Sequence, residues 1–201
     1  MTHIIALTHD AARSAEAGED DLARAAAAGD DEAFGRLYGV YFVRVYRFLR
    51  TRTATPEDAA DVTQQVFMKA YDSMRESGTR PGGFAPWLFR IARNAAIDGH
   101  RRRRSLVPWQ HVPESLVPPS TARGPEESAI ALERVERLRE CLAALDRNKQ
   151  ELLALRFAAG LSSRQIAAAV GKSESAVKKQ LTRTIQSLKE HYDDELPPQT
   201  G

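Results

Sequence analysis

Cations, hydroxyls and amides, rather than catalytic groups, are what this chain has to offer chemically. Lys172, Ser173, Ser175, Lys178, Lys179 and Arg183 fall within residues 172–183. On a helix they place hydroxyls and cations towards its N-terminal half, together with Thr182. Such a helix suits the major groove of duplex DNA, where side chains reach base edges and the helix dipole favours phosphate. A solvated charged face is the competing reading. A second cluster is Arg101, Arg102, Arg103 and Arg104, preceded in the same segment by Trp87, Phe89, Arg90, Arg93 and Asn94. Before it lies the breaker-rich stretch 76–83, ESGTRPGG, whose one cation is Arg80. Rings, guanidinium groups and an amide beside a polar loop match what single-stranded bases require: stacking, phosphate pairing and edge recognition. Phe84 and Trp87 also lie on an apolar stripe, so a core role competes with stacking. Four arginines at a helix C-terminus are equally favoured by the dipole alone.

Catalytic constellations are missing from the pattern. The histidines His3, His9, His100, His111 and His191 are scattered and build neither an H-E-x-x-H motif nor a metal-ligand cluster. Gly82-Gly83 is not followed by the Lys-Ser or Lys-Thr of a phosphate loop. The single cysteine, Cys141, forms no internal disulfide or CxxC site and reads as a packed side chain. No catalytic residue, cofactor or metal is expected.

The elements that must position these groups read as helices throughout, an all-α chain of two small domains. Proline sets the boundary: Pro108, Pro113, Pro118, Pro119 and Pro125 cluster, and no proline occurs from 126 to 196. Proline lacks an N–H and clashes with the preceding turn, so 105–127 is read as a Pro-rich linker. Residues 29–104 form the first domain and 128–192 the second. Residues 1–28 are read as an acidic, disordered tail and 193–201 as a polar one. Phe34, Leu37, Tyr38, Tyr41, Val45 and Leu49 make one apolar stripe; Ala59, Val62, Val66, Ala70 and Met74 make another, after a start signal at Thr55-Pro56-Glu57. Phe84, Trp87, Leu88, Ile91, Ala92 and Ala95 make a third, on a helix running to Arg104.

In the second domain Val135, Leu138, Leu142 and Leu145 step by three and four, a bundle helix or a very short coiled-coil seam. Asp146 is placed to cap the next helix, with Leu152 and Leu155 inward and Gly160 at its end. Ser162-Ser-Arg-Gln165 fits a capping box, Gly171 breaks that helix, and Ser173 caps a last one carrying Val177, Leu181, Ile185 and Leu188 inward. The last two helices have helix-turn-helix proportions.

Charge is unevenly spread although the net is only +2 over 201 residues. Residues 1–32 carry eight acids against two arginines, whereas 80–104 carry seven arginines against Asp98. Separate partners for separate segments follow, one of them polyanionic. No apolar stretch approaches a membrane span, and Ile4–Leu7 lacks the basic flank and length of a secretory signal. A cytoplasmic protein without membrane insertion is expected.

Taken in order, Asp58-Ala-Ala-Asp61-Val-Thr-Gln64-Gln65-Val-Phe67, Trp87-Leu-Phe-Arg-Ile-Ala-Arg-Asn94, Asp98 before the arginines, and the helix-turn-helix resemble extracytoplasmic-function (ECF) sigma factors of the sigma-70 family. The resemblance covers about 30–104 and 128–190. It lacks the extra N-terminal and middle regions of housekeeping sigma factors, as the compact ECF class does. It implies promoter-specific initiation with bacterial core RNA polymerase, on its β′ clamp and β subunits, and with promoter DNA. Asp58, Asp61, Gln64 and Gln65 would dock on the clamp. The loop 77–83 with Arg80 would capture a flipped −10 base, and Arg90, Arg93, Asn94, Arg101, Arg102, Arg103 and Arg104 would follow the −10 strand. Lys172, Ser173, Ser175, Lys178, Lys179 and Arg183 would read the −35 duplex. An anti-sigma factor is the further partner implied. Gln65 stands where the family more often has an acid, and Gln165 where it often has Glu. A stand-alone helix-turn-helix regulator is the rival reading, but it leaves residues 58–104 without a task.

Overall fold

The computed structural model describes residues 18–77, 82–103, 112–113 and 125–194. Helix α1 covers 18–27, which corrects the reading of 1–28 as a disordered tail for that part; residues 1–17 lie outside the described residues. Its inward side chains are Ala23 and Ala26, both buried. Alanine is the best helix former and lets backbones approach closely, yet it adds little to an apolar stripe. Tyr41 donates its hydroxyl to the Glu19 carboxylate, tying α1 to the next helix. Burial, reinforced by Glu19, pushes the Tyr41 hydroxyl well above its ordinary range.

Helix α2 (Asp31–Arg50) is capped by Asp30, whose carboxylate accepts from the Glu32 and Ala33 N–H groups at 3.0 Å. Its buried stripe is Ala33, Leu37, Tyr41, Val45, Phe48 and Leu49. Helix α3 (Pro56–Ser77) begins as expected: Thr55 Oγ1 accepts from the Asp58 N–H at 3.0 Å, and Pro56 occupies the first turn. It buries Ala59, Thr63, Val66, Phe67, Ala70 and Met74. Helix α4 (Phe84–Arg103) buries Phe84, Trp87, Leu88, Phe89 and Ala92. Phe89 meets Phe48 edge-on at 5.8 Å between ring centres, and Phe84 meets Tyr41 at 5.2 Å. The aromatic rings of α4 are therefore core, not a stacking platform. Helices α2, α3 and α4 pack together as a bundle.

In the second half, α5 (Pro125–Ala144) buries Leu138, Cys141 and Leu142 against its own neighbours, as a bundle helix does. It starts at Pro125, so the last residues of the expected linker are helical; 104–111 and 114–124 lie outside the described residues. Asp146 caps α6 (Arg147–Leu153), accepting from the Lys149 N–H at 3.0 Å. The helix then widens into a π-turn over Ala154–Ala158, which no sequence signal announced. Ser162 and Gln165 close a reciprocal capping box on α7 (Ser163–Val170), at 3.2 and 3.0 Å. Gly171, at φ +71°, takes the left-handed turn into α8 (Glu174–Asp194).

One inward residue differs from expectation in α8. Ile185 is 39% exposed and Thr184 is buried in its place, so the stripe is Val177, Leu181, Thr184 and Leu188. Thr184 Oγ1 donates to the Gln180 carbonyl at 2.8 Å, which satisfies the hydroxyl inside the helix. No helix among the described residues is long and apolar enough to cross a membrane.

Candidate nucleic-acid interface

The helix-turn-helix presents its polar side outward. Ile166 and Ala167 of α7 and Val177 and Leu181 of α8 are buried in a common core. That packing leaves Lys172, Ser173, Ser175, Lys178, Lys179, Thr182 and Arg183 exposed together. Ser173 caps α8 through the Ala176 N–H at 3.3 Å and lies 3.2 Å from the Ser175 hydroxyl. Lys172 Nζ donates to Gln180 Oε1 at 3.3 Å. Glu174, in the first turn of α8, sits 2.7 Å from Lys178 Nζ across one helical turn. It steadies the ammonium on the exposed face.

A second polar surface lies on α3. Asp61, Gln64 and Gln65 are exposed and Asp58 is half-buried, on the side away from Ala59, Thr63 and Val66. Met68 continues this side and is 67% exposed, an apolar side chain among polar ones. Tyr38 of α2 is also exposed and packs on Phe67 with 4.7 Å between ring centres. Sequence reasoning missed Met68 and Tyr38 as surface features. The available signal was Met68's place outside the apolar stripe.

On α4 the residues expected on the −10 strand divide. Arg90 and Asn94 are exposed. Arg93 instead turns to the second half of the chain: Nε and Nη2 donate to the two carboxylate oxygens of Glu151 at 2.8 and 2.9 Å, and Nη1 donates to the Ala169 carbonyl at 3.0 Å. Arg101, Arg102 and Arg103 end α4, with side chains outside the described residues, as are Arg80 and Arg104. Of the loop, Gly82 and Gly83 are described, at φ +106° and +90°; a Cβ on Gly83 would stand 3.6 Å from the Asp20 carboxylate of α1.

Arg44 and Arg52 join Arg93 at the meeting of the two halves, and neither was singled out from sequence. Arg44 lies over the Tyr41 ring at 4.7 Å and donates to the Ala159 and Gly160 carbonyls at 2.8 and 3.2 Å. Arg52 lies over the Phe48 ring at 5.1 Å. Burial lowers its pKa, neighbouring Arg93 and Arg147 lower it further, and Glu151 opposes them. Nε and Nη2 of Arg52 and Nη1 of Arg50 are buried without a hydrogen-bond partner among the described residues. No group of acids, histidines or cysteines suited to a metal ion occurs among them either.

Comparison with known proteins assigns both halves to one family. Residues 37–106 match sigma-70 region 2, and residues 135–188 match sigma-70 region 4. The ECF RNA polymerase sigma factor BldN of Streptomyces coelicolor is 33% identical over 181 residues, spanning 89% of this chain and 67% of that protein. The ECF sigma factor SigD of Mycobacterium tuberculosis is 34% identical over 152 residues, spanning 73% of this chain and 70% of that protein. Among solved structures, CnrH in complex with the cytosolic domain of CnrY superimposes with a TM-score of 0.64 at 27% identity, covering 89% of this chain and 99% of that one. With both conserved regions matched in order and curated relatives alike over most of their length, the chain belongs to the ECF sigma factors of the sigma-70 family, which direct promoter-specific initiation of transcription.

Proposed function

We propose that the two exposed surfaces divide the work of initiation between them. The α3 side bearing Asp58, Asp61, Gln64 and Gln65 docks on the β′ clamp of bacterial core RNA polymerase. The exposed face of α8 reads the −35 duplex through Lys172, Ser173, Ser175, Lys178, Lys179 and Arg183. Arg90, Arg93, Asn94 and Arg101–Arg104, with Arg80 in the loop before α4, hold the −10 strand. Residues 29–104 then serve polymerase and −10 binding, 105–127 link, and 128–192 serve the −35 element. The chain supplies no catalysis; the polymerase does, and this subunit acts in the cytoplasm as its specificity factor.

The observation that carries this reading is the surface of α8: its cations and hydroxyls are exposed together on a helix capped by Ser173 and entered through the left-handed Gly171. Major-groove recognition needs such a rigid helix, with donors in its N-terminal half. An anti-sigma partner is proposed as well, because CnrH was solved with the cytosolic domain of CnrY.

Run-off transcription tests the whole reading. Core polymerase with this protein should initiate at specific sites on promoter fragments from its own genome, and core alone should not. Duplex binding by the free protein without any initiation would favour the regulator reading instead.

A further inference from the structure

We infer that the contact between the two halves is an electrostatic latch that nucleic acid must displace, with Glu151 and three main-chain carbonyls occupying on Arg93 and Arg44 the places phosphate oxygens would take. The inference rests on the proposed role of Arg93 on the −10 strand and adds a competitor for it.

The geometry is that of anion recognition turned inward. A guanidinium is a planar fork that pairs equally well with two carboxylate oxygens or two phosphate oxygens. Glu151 accepts from one edge of that fork, Nε and Nη2, at 2.8 and 2.9 Å. The third acceptor, the Ala169 carbonyl, belongs to the last turn of α7, and the Ala159 and Gly160 carbonyls on Arg44 follow the π-turn. Helix C-termini carry unpaired carbonyls and partial negative charge, which favours cations. Region 4 thus presents one carboxylate and three main-chain carbonyls to two arginines of region 2. Side chains of Arg93 and Glu151 are 20% and 18% exposed, so the pair is only partly screened by solvent.

The same seam holds a counterweight. Buried guanidinium nitrogens of Arg52 are without a partner among the described residues, and leaving such donors unpaired is costly. Opening the seam hydrates them and exposes Arg44, Arg52 and Arg93 on one side of region 2, a basic surface for a polyanion. Arg93 cannot serve Glu151 and a phosphate at once. Closed and nucleic-acid-bound states are therefore alternatives.

The test compares the full chain with Glu151→Gln, which keeps the shape and removes the charge, and with Arg44→Gln, which breaks the other contact. Solution X-ray scattering on the free proteins reads the seam. Fluorescence anisotropy with a short fluorescein-labelled single strand of mixed sequence reads access to Arg93. The Glu151→Gln protein should have a larger radius of gyration and bind the strand at least about fivefold more tightly, the lower end of ordinary coupling between sites. Glu151→Asp should restore most of the wild-type behaviour. Unchanged scattering for both variants would overturn the latch; expansion without tighter binding would overturn the competition with nucleic acid. Should Glu151→Gln fail to fold by circular dichroism, wild-type scattering between low and 1 M salt decides, since screening must open a latch of this kind. Run-off transcription with wild-type protein separates the two readings: expansion and tighter binding without any initiation would leave the latch standing and remove the sigma role beneath it.

Discussion

Lys178 shows how lightly a residue proposed for recognition is held in the free protein. Its side chain is 64% exposed and its ammonium is paired with Glu174 at 2.7 Å. Exposed pairs of this kind contribute about 0–1 kcal/mol, so a phosphate or a base edge displaces Glu174 at little cost. Lys178→Ala should weaken binding of holoenzyme to a −35 duplex; if the contact is to phosphate, the slope of log K against log salt should fall by about 0.9, measured by anisotropy titration. Asp61 is exposed on the outer side of α3. Asp61→Ala should lower affinity for core polymerase in a binding titration while moving the urea midpoint little, because exposed substitutions stay within about 0.5 kcal/mol. Normal transcription by Asp61→Ala would remove that side of α3 from the polymerase interface.

At the scale of the elements, caps and turns fix where helices begin and end. Asp146→Ala should destabilise the α5–α8 half by about 1 kcal/mol in urea, the usual worth of an N-cap. Hydrogen bonding from Lys149, main chain first and side chain next, holds the Asp146 carboxyl below its ordinary value. A folded pKa below the unfolded one means the stabilisation is present above about pH 4 and lost as pH falls through the folded value. The difference between wild type and Asp146→Ala should therefore shrink in melts taken at about pH 3. Gly171→Ala meets no neighbour within 4 Å but must hold φ +71°, so it should cost about 1–2 kcal/mol through backbone strain alone.

These caps are also why so much of the architecture was legible in sequence: Thr55-Pro56, Asp146, Ser162 with Gln165, and Gly171 each carry a local signal. Three features were not legible. Helix α1 buries alanines, which blur an amphipathic stripe. The π-turn lies within the apolar run Leu152–Leu155 and beyond it, where one extra residue per turn leaves the pattern intact. Thr184 replaces Ile185 inward because its hydroxyl finds a carbonyl in its own helix. The exposed groups of α3 and α8 could be read from one helix at a time. The partner of Arg93 could not, since Glu151 is 58 residues away and only the fold brings them together.

For the molecule as a whole, the buried side chains of the two halves join in one hydrophobic core, and arginines pair with acceptors along the seam between them. Phe48 sits fully buried in the first half, with the Phe89 edge on it and the Arg52 guanidinium 5.1 Å from its centre. Phe48→Ala should cost about 3–5 kcal/mol, a large part of the 5–15 kcal/mol that stabilises a domain. Hydrogen exchange should then find α2–α4 weakly protected while α5–α8 stays protected; loss of protection in both halves together would mean that they fold as one unit. The covalent connection through residues 104–124 adds a consequence of its own. Because the halves are tethered, each sees the other at an effective concentration of roughly millimolar. A contact too weak to hold two separate fragments together at cellular levels is then populated within one chain, and its population answers to tether length. For a flexible chain, doubling the length costs only about 0.6 kcal/mol, somewhat under threefold in a closed fraction. Insertions and deletions on either side of Val112, which is itself buried, are therefore expected to tune how readily the halves close.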